Sequence, residues 1–95
     1  MRYFTKINQI DKNEVASLTW PNENLHNEEM RNDILTKLKV AMILGNIEKI
    51  KCKIIFKDDM GIKMTETTIW SVCEKNIVIK SGIWIPIKRI LDIEI

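Results

Sequence analysis

The stretch IWIPIKRILDIEI, residues 83–95, closes a run of short, isoleucine-rich segments that begins at Lys51 and decides the fold. Apolar residues alternate with other residues through this run, and a period of two is typical of β-strands. Turn-forming residues interrupt the run, for example at Asp58–Gly61 and at Ser81–Gly82. The pattern predicts five short antiparallel strands that bend into a small β-barrel. Because side chains fill the interior of so small a barrel, we expect function to reside on an outer face or a loop.

The sequence before the barrel has a different hydrophobic period. An apolar stripe with a spacing of 3.6 residues runs from Met30 to Met42, which predicts a helix over residues 27–45. We expect this helix to end at Gly45–Asn46, because both residue types readily adopt the left-handed conformation. Residues 1–26 carry scattered apolar anchors without a sustained period. They predict an arm that packs across the domain, with a strand near residues 2–8.

These segments predict one α+β domain spanning residues 1–95. An N-terminal arm (1–26) and one α-helix (27–45) pack on a strongly bent, five-stranded antiparallel small barrel (47–95). The composition, 45% hydrophobic and 29% charged, is that of a globular protein. No stretch approaches the roughly 20 apolar residues that span a bilayer, so we expect a cytoplasmic protein without membrane contact.

Composition and cysteine content argue against a zinc site and give no strong indication of nucleic-acid binding. The net charge of +2, from 15 basic and 13 acidic residues, is too small to indicate nucleic-acid binding by itself. The cysteines are Cys52 and Cys73, and His26 is the single histidine, so a zinc site with about four such ligands is not available. Cys52 alternates with apolar residues, which favours a buried, reduced thiol. We expect no metal and no cofactor.

The sequence offers little for catalysis. A lone histidine such as His26 is usually a solvated loop residue, and Asp58 and Asp59 adjoin in a turn, where aspartates commonly cap backbone amides. Glycine-rich phosphate loops and nucleophile elbows are missing from the sequence. We therefore expect a protein that is not an enzyme. The rival hypothesis is an enzyme or ligand-binding protein that uses Asp58, Asp59 and Glu66 at a shared edge.

A resemblance to known proteins covers roughly residues 34–95. A helix followed by CKIIFKDDMG (52–61) and by IPIKRI (85–90) resembles the Sm-like and SH3-like small barrels of bacteria, and is similar to the Rho-binding antiterminator type. ETTIW (66–70) and GIWIPI (82–87) look like segments of short, uncharacterised bacterial proteins. The antiterminator resemblance implies an acidic surface that faces a partner protein. This chain instead has a lysine-rich first barrel strand.

Two surfaces are candidate sites. The apolar one is an outward cluster of Val78, Trp84 and Pro86, which the helix, the arm or another molecule has to cover. The basic surface can bind along a phosphate backbone. A row of lysines is, however, also a common way to protect a strand edge from aggregation. The residues of the basic surface are Lys49, Lys51, Lys53, Lys57, Lys88 and Arg89.

We expect a non-enzymatic binding or regulatory module that acts through its barrel surface on a protein partner or on a second copy of itself. The alternative is binding of RNA or single-stranded nucleic acid through the lysine row. A third hypothesis is a structural subunit whose strand edges pair between copies. The positions of two tryptophans distinguish these hypotheses. If the lysines share a face with an exposed Trp70 or Trp84, nucleic-acid binding is favoured, and if both tryptophans are buried, the nucleic-acid hypothesis loses its main support.

Overall fold

The computed structural model describes residues 6–95 and contains one long helix and two β-sheets. The helices are α1 (Lys12–Val15) and α2 (Glu28–Glu48), and the strands are β1 (Asn8–Gln9), β2 (Cys52–Lys57), β3 (Ile62–Thr67), β4 (Ile69–Val72), β5 (Asn76–Ile79), β6 (Ile83–Pro86) and β7 (Ile90–Glu94). Single turns of 3-10 helix, Lys80–Gly82 and Ile87–Arg89, follow β5 and β6.

The prediction of a five-stranded barrel is wrong. Within residues 6–95 the strands form a four-stranded sheet in the order β1-β3-β2-β7 and a separate three-stranded sheet in the order β4-β5-β6, without a closed barrel. The extended run after Gly61 divides at Thr68, where the chain leaves the first sheet and enters the second. Helices lie where closure of a barrel would require strand pairing: α1 contacts β3 and β6, and α2 contacts β4 and β7.

The two sheets share one hydrophobic core with the buried face of α2. Ile54 and Phe56 of β2 and Ile77 and Ile79 of β5 are fully buried, as their alternation predicts. Cys52 is buried with them and Cys73 is exposed. From α2, the core receives Ile34, Leu38 and Ala41.

Helix α2 begins as its sequence predicts and ends later. The Asn27 side chain caps it by accepting a hydrogen bond from the Met30 amide at 2.8 Å. The predicted stop at Gly45–Asn46 is wrong, because the helix continues to Glu48 and Lys49 supplies the left-handed residue, with φ 58°. Gly45 serves packing instead: a Cβ built there would lie 3.4 Å from the carbonyl oxygen of Ile69.

The N-terminal arm packs against the core. β1 pairs in parallel with β3, and α1 places Val15 in the core with only 1% of its surface exposed. Farther along, the Trp20 ring meets Phe56 edge to face with their centroids 5.3 Å apart. The strand predicted over residues 2–8 falls mostly outside the described residues, which show Asn8–Gln9 as β1.

Candidate functional site

The predicted lysine row lies on a surface where carboxylates accompany the lysines. Lys53 of β2 is the direct cross-strand neighbour of Glu66 on β3 and of Glu94 on β7. Opposite charges in such positions attract each other and weaken the local potential. Lys49, Lys51 and Lys57 are exposed, but a phosphate chain that followed the row would also pass the two glutamates. The row is therefore a poor electrostatic track for an anion.

The last two predicted basic residues lie in different environments. Arg89 is 2% exposed, and its guanidinium donates from Nε to the carbonyl oxygen of Lys57 and from Nη1 to that of Glu23, both at 2.9 Å. It joins three segments of the chain in the interior and is not part of the surface. Lys88 is half-buried, and its Nζ donates to Oδ1 of Asn22.

The carboxylates of the rival hypothesis do not converge. Asp58 is buried, lies 2.6 Å from Lys63 Nζ through Oδ2, and accepts the amides of Met60 and Gly61 through Oδ1. Burial raises the pKa of Asp58, but these hydrogen bonds and the lysine charge outweigh burial and hold the pKa below 3.8. Glu66 lies five residues along the chain from Gly61, the last residue of the turn, which is about 16 Å in an extended strand.

Neither the histidine nor the acidic residues form a metal centre. His26 packs beside β7, where its Nε2 lies 2.6 Å from the carbonyl oxygen of Ile90, so this nitrogen carries the proton and the ring holds its loop in place. Among residues 6–95, no three or more His, Cys, Asp and Glu side chains are grouped so that they could hold a metal ion.

An aromatic row crosses the outer face of the three-stranded sheet. Val78 in the central strand β5 pairs with Trp84 of β6 on one side and with Ser71 of β4 on the other. The register shifts between Ile69 and Ser71, so Trp70 is the extra residue of a β-bulge beside Val78. Trp70 is 50% exposed and Trp84 62% exposed. We call this row, Trp70, Val78 and Trp84, the aromatic platform.

A basic cleft adjoins the aromatic platform. The cross-strand pair next to Val78 and Trp84 is Asn76 and Pro86, on the same outer face, and this pair forms one wall of a cleft of about 550 Å³. Among residues 6–95, three cationic side chains and no carboxylate line it. The lining residues are Trp20, Pro21, Asn22, Asn24, Arg31, Lys75, Asn76, Pro86 and Lys88.

The cations of the basic cleft come from distant parts of the chain. Arg31 lies in the second turn of α2 and donates from Nη2 to the carbonyl oxygen of Glu74 at 3.3 Å, beside Lys75 in the turn before β5. Lys88 comes from the 3-10 turn before β7. Sequence reasoning singled out Lys88 but missed Arg31 and Lys75, because each is an isolated cation in the sequence. Only the tertiary fold brings them together.

A second cavity has a different electrostatic character. It measures about 380 Å³ and lies between the arm and the edge of the four-stranded sheet. Lys12, Lys51 and Lys80 line it together with Asp11 and Glu66. Because the charges are mixed, this cavity offers less attraction to an anion than the basic cleft does.

Comparisons with protein-family models, with curated proteins and with solved structures found no match to this chain. The resemblance to small bacterial barrels is therefore left without independent support. Within residues 6–95, the helices are too short or too polar to cross a membrane.

Proposed function

We propose that this protein binds single-stranded nucleic acid on the outer face of its three-stranded sheet. The aromatic platform stacks bases through Trp70 and Trp84, and the cations of the basic cleft neutralise phosphates. One observation carries the proposal: two half-exposed tryptophans lie in one cross-strand row beside a cleft that, within the described part of the chain, is lined by Arg31, Lys75 and Lys88 and by no carboxylate. Stacking surfaces combined with cationic grooves are typical of single-strand binding.

The spacing of the platform suits unpaired bases. Trp70 and Trp84 lie on the outer two strands of the sheet with β5 between them, so their backbones are about 10 Å apart. Each ring can therefore accept its own base. Stacking of this kind contributes about 1–3 kcal/mol per base and tolerates every base. In a duplex the bases are stacked inside, so we expect a preference for single strands with little sequence selectivity.

The test is fluorescence anisotropy of labelled short RNA and single-stranded DNA over a salt series. With three phosphates neutralised, the logarithm of the affinity should fall with the logarithm of salt concentration with a slope of about −2. Trp84→Ala should weaken binding roughly tenfold or more, through lost stacking. Lys75→Ala should weaken binding and make the slope less steep by about 0.7.

Lys53→Ala is the matched control, since it also removes an exposed lysine but lies between Glu66 and Glu94, away from the basic cleft. It should leave the affinity and the slope unchanged. Loss of binding in Lys53→Ala, with normal binding in Lys75→Ala, would move the site to the lysine row. Absence of salt-sensitive binding at low ionic strength would reject the proposal.

The expectation of a protein partner or a second copy stays a proposal as well. It draws its support from a different surface, the outer face of α2.

A further inference from the structure

Helix α2 carries an apolar patch that residues 6–95 leave exposed. Val40, Ile43 and Ile47 are 45%, 53% and 72% exposed, and at 100° per residue they lie within about 60° of one another on the helix surface. Ile50, just after the helix, is exposed as well. We call these four residues the α2 patch. A contiguous apolar surface of this kind is typical of an interaction site.

Charged residues flank the α2 patch at both ends. Glu29 and Asp33 are exposed on the side of the helix that carries Val40, about three and about two turns closer to its N-terminus. Lys49 and Lys51 are exposed directly after the helix, and Lys51 also lines the cavity of mixed charge that contains Glu66. The patch is therefore preceded by acidic residues and followed by basic ones, and Lys39 is exposed beside Ile43 within it.

We propose that the α2 patch is the interface of a two-fold symmetric dimer of this chain in which the two α2 helices run antiparallel. An axis that passes near Val40 and Ile43 sets the α2 patch of one copy against that of the other. The same axis brings Asp33 of each copy close to residues 49–51 of the second. A parallel arrangement would instead place acid beside acid and base beside base.

Symmetry and size agree with a second copy as the occupant. A two-fold interface uses the same surface on both subunits, so it needs a surface that complements itself, and a patch flanked by acidic residues at one end and basic residues at the other provides one. A helix of 21 residues is about 31 Å long, enough for several turns to meet along the contact. The apolar part involves few side chains, so we expect a weak dimer that depends on protein concentration and on salt.

The first test is sedimentation velocity over a range of protein concentrations. The native chain should shift from monomer to dimer as its concentration rises. Ile43→Glu and Ile47→Glu should remain monomeric, with an unchanged thermal melting midpoint because both positions are solvent-exposed. The matched control is Met60→Glu, which places the same charge at an apolar residue that is 82% exposed in the β2–β3 turn, and it should dimerise normally.

The second test addresses the antiparallel arrangement. Asp33→Lys should weaken the dimer, and the triple variant Asp33→Lys, Lys49→Glu, Lys51→Glu should restore it by exchanging the charges at both ends. Asp59→Lys, the same change at an exposed turn residue away from α2, should have no effect. A chain that is monomeric at every concentration, including one that binds lipid vesicles through the patch, would overturn the proposal. A dimer that survives Ile43→Glu, or that the triple variant does not restore, would overturn it too.

Discussion

Asp58 links the stability of the first hairpin turn to pH. Burial alone would raise the pKa of this carboxyl, but the hydrogen bond from Lys63 and those from the amides of Met60 and Gly61 prevail and hold it below 3.8. With a lowered pKa in the folded state, the unfolded chain binds more protons on acidification than the folded one does. The stabilisation is therefore complete above about pH 4 and is lost as the pH falls through the folded-state pKa.

Replacing Asp58 tests this linkage. Asp58→Asn should lower the free energy of unfolding by about 2 kcal/mol at pH 7, because a charged hydrogen-bond partner of Lys63 is removed in a buried site. Urea titrations at pH 7 and at steps between pH 4 and pH 2 should show the difference from the native chain shrinking with acidity. Asp59→Asn, at the exposed neighbouring position, should have little effect at any pH. A difference that stays constant with pH would contradict the assigned ionisation.

The two cysteines should differ in reactivity. Burial raises the pKa of the Cys52 thiol to about 11, while Cys73 is exposed. Because the thiolate is the reactive form, a thiol reagent at pH 8 should modify Cys73 rapidly and leave Cys52 intact in the folded protein. In denaturing urea both should react. Cys73→Ser should then show no fast phase when folded, and a fast phase in that variant would indicate opening of the core around β2.

At the scale of single residues, the sequence predicts the apolar positions better than the charged ones. Cys52 and Trp84 are placed correctly by the alternation of their strands. Arg89 is not, because a Lys-Arg pair before a strand is typical of a solvated turn. Its acceptors are carbonyl groups of Lys57 and Glu23, which are 32 and 66 residues away in the sequence. No local pattern records such partners.

Gly45 lies where the C-terminal half of α2 packs against β4. A Cβ there would meet the Ile69 carbonyl oxygen and the Thr68 side chain at 3.4 Å, at the limit of ordinary contact. Gly45→Ala should therefore be nearly neutral, within about 1 kcal/mol, because a better helix propensity offsets a tight contact. Gly45→Val should lower the free energy of unfolding by about 1–3 kcal/mol, through overpacking against β4.

Chemical denaturation of the two Gly45 variants measures this difference directly. Asn46→Ala and Asn46→Val are the controls, since Asn46 is exposed in the adjacent helical position and has no strand to clash with. Val at position 46 should cost only its lower helix propensity, a few tenths of a kcal/mol relative to Ala. Equal effects of Val at positions 45 and 46 would mean that α2 is not in close contact with β4.

Elements that depend on local pattern are predicted well from this sequence. The long helix begins within one residue of the predicted start at residue 27, and strands occur in each alternating segment after Lys51. The helix end is missed because glycine permits both a left-handed stop and close packing, and the strand that Gly45 packs against lies more than 20 residues away in the sequence. The buried threonines of β3, Thr65 and Thr67, are also unremarkable in sequence, and their hydroxyls have no hydrogen-bond partner among the described residues.

At the scale of the whole molecule, strand pairing is the part that the sequence leaves undetermined. The alternation of apolar residues indicates which residues of a strand face the core. It does not indicate whether the two edge strands pair with each other and close the sheet into a barrel. Here α1 contacts both β3 and β6, and so the arm, which the sequence predicts to pack across the domain, takes part in joining the sheets. The basic cleft cannot be recognised from the sequence for the same reason, since its cations come together only when α2 packs on the sheets. These cations are Arg31, Lys75 and Lys88.

Substitution of the three tryptophans should distinguish the residue that stabilises the fold from those proposed to bind a ligand. Trp20 packs edge to face on Phe56 in the core, whereas Trp70 and Trp84 are largely exposed on the aromatic platform. Trp20→Ala should lower the free energy of unfolding by about 2–4 kcal/mol, because it leaves a cavity between the arm and β2. Trp84→Ala and Trp70→Ala should stay within about 1 kcal/mol, which makes them clean variants for the binding assay.

Urea unfolding monitored by circular dichroism compares the three Trp→Ala variants under identical conditions. If the arm is part of the cooperative fold, Trp20→Ala should lower the midpoint of a single transition, without adding a second one. An arm that unfolded separately would instead leave the main transition of Trp20→Ala where the native chain has it. A large loss of stability in Trp84→Ala would show that the aromatic platform supports the fold, which would leave less reason to assign its exposed rings to a ligand.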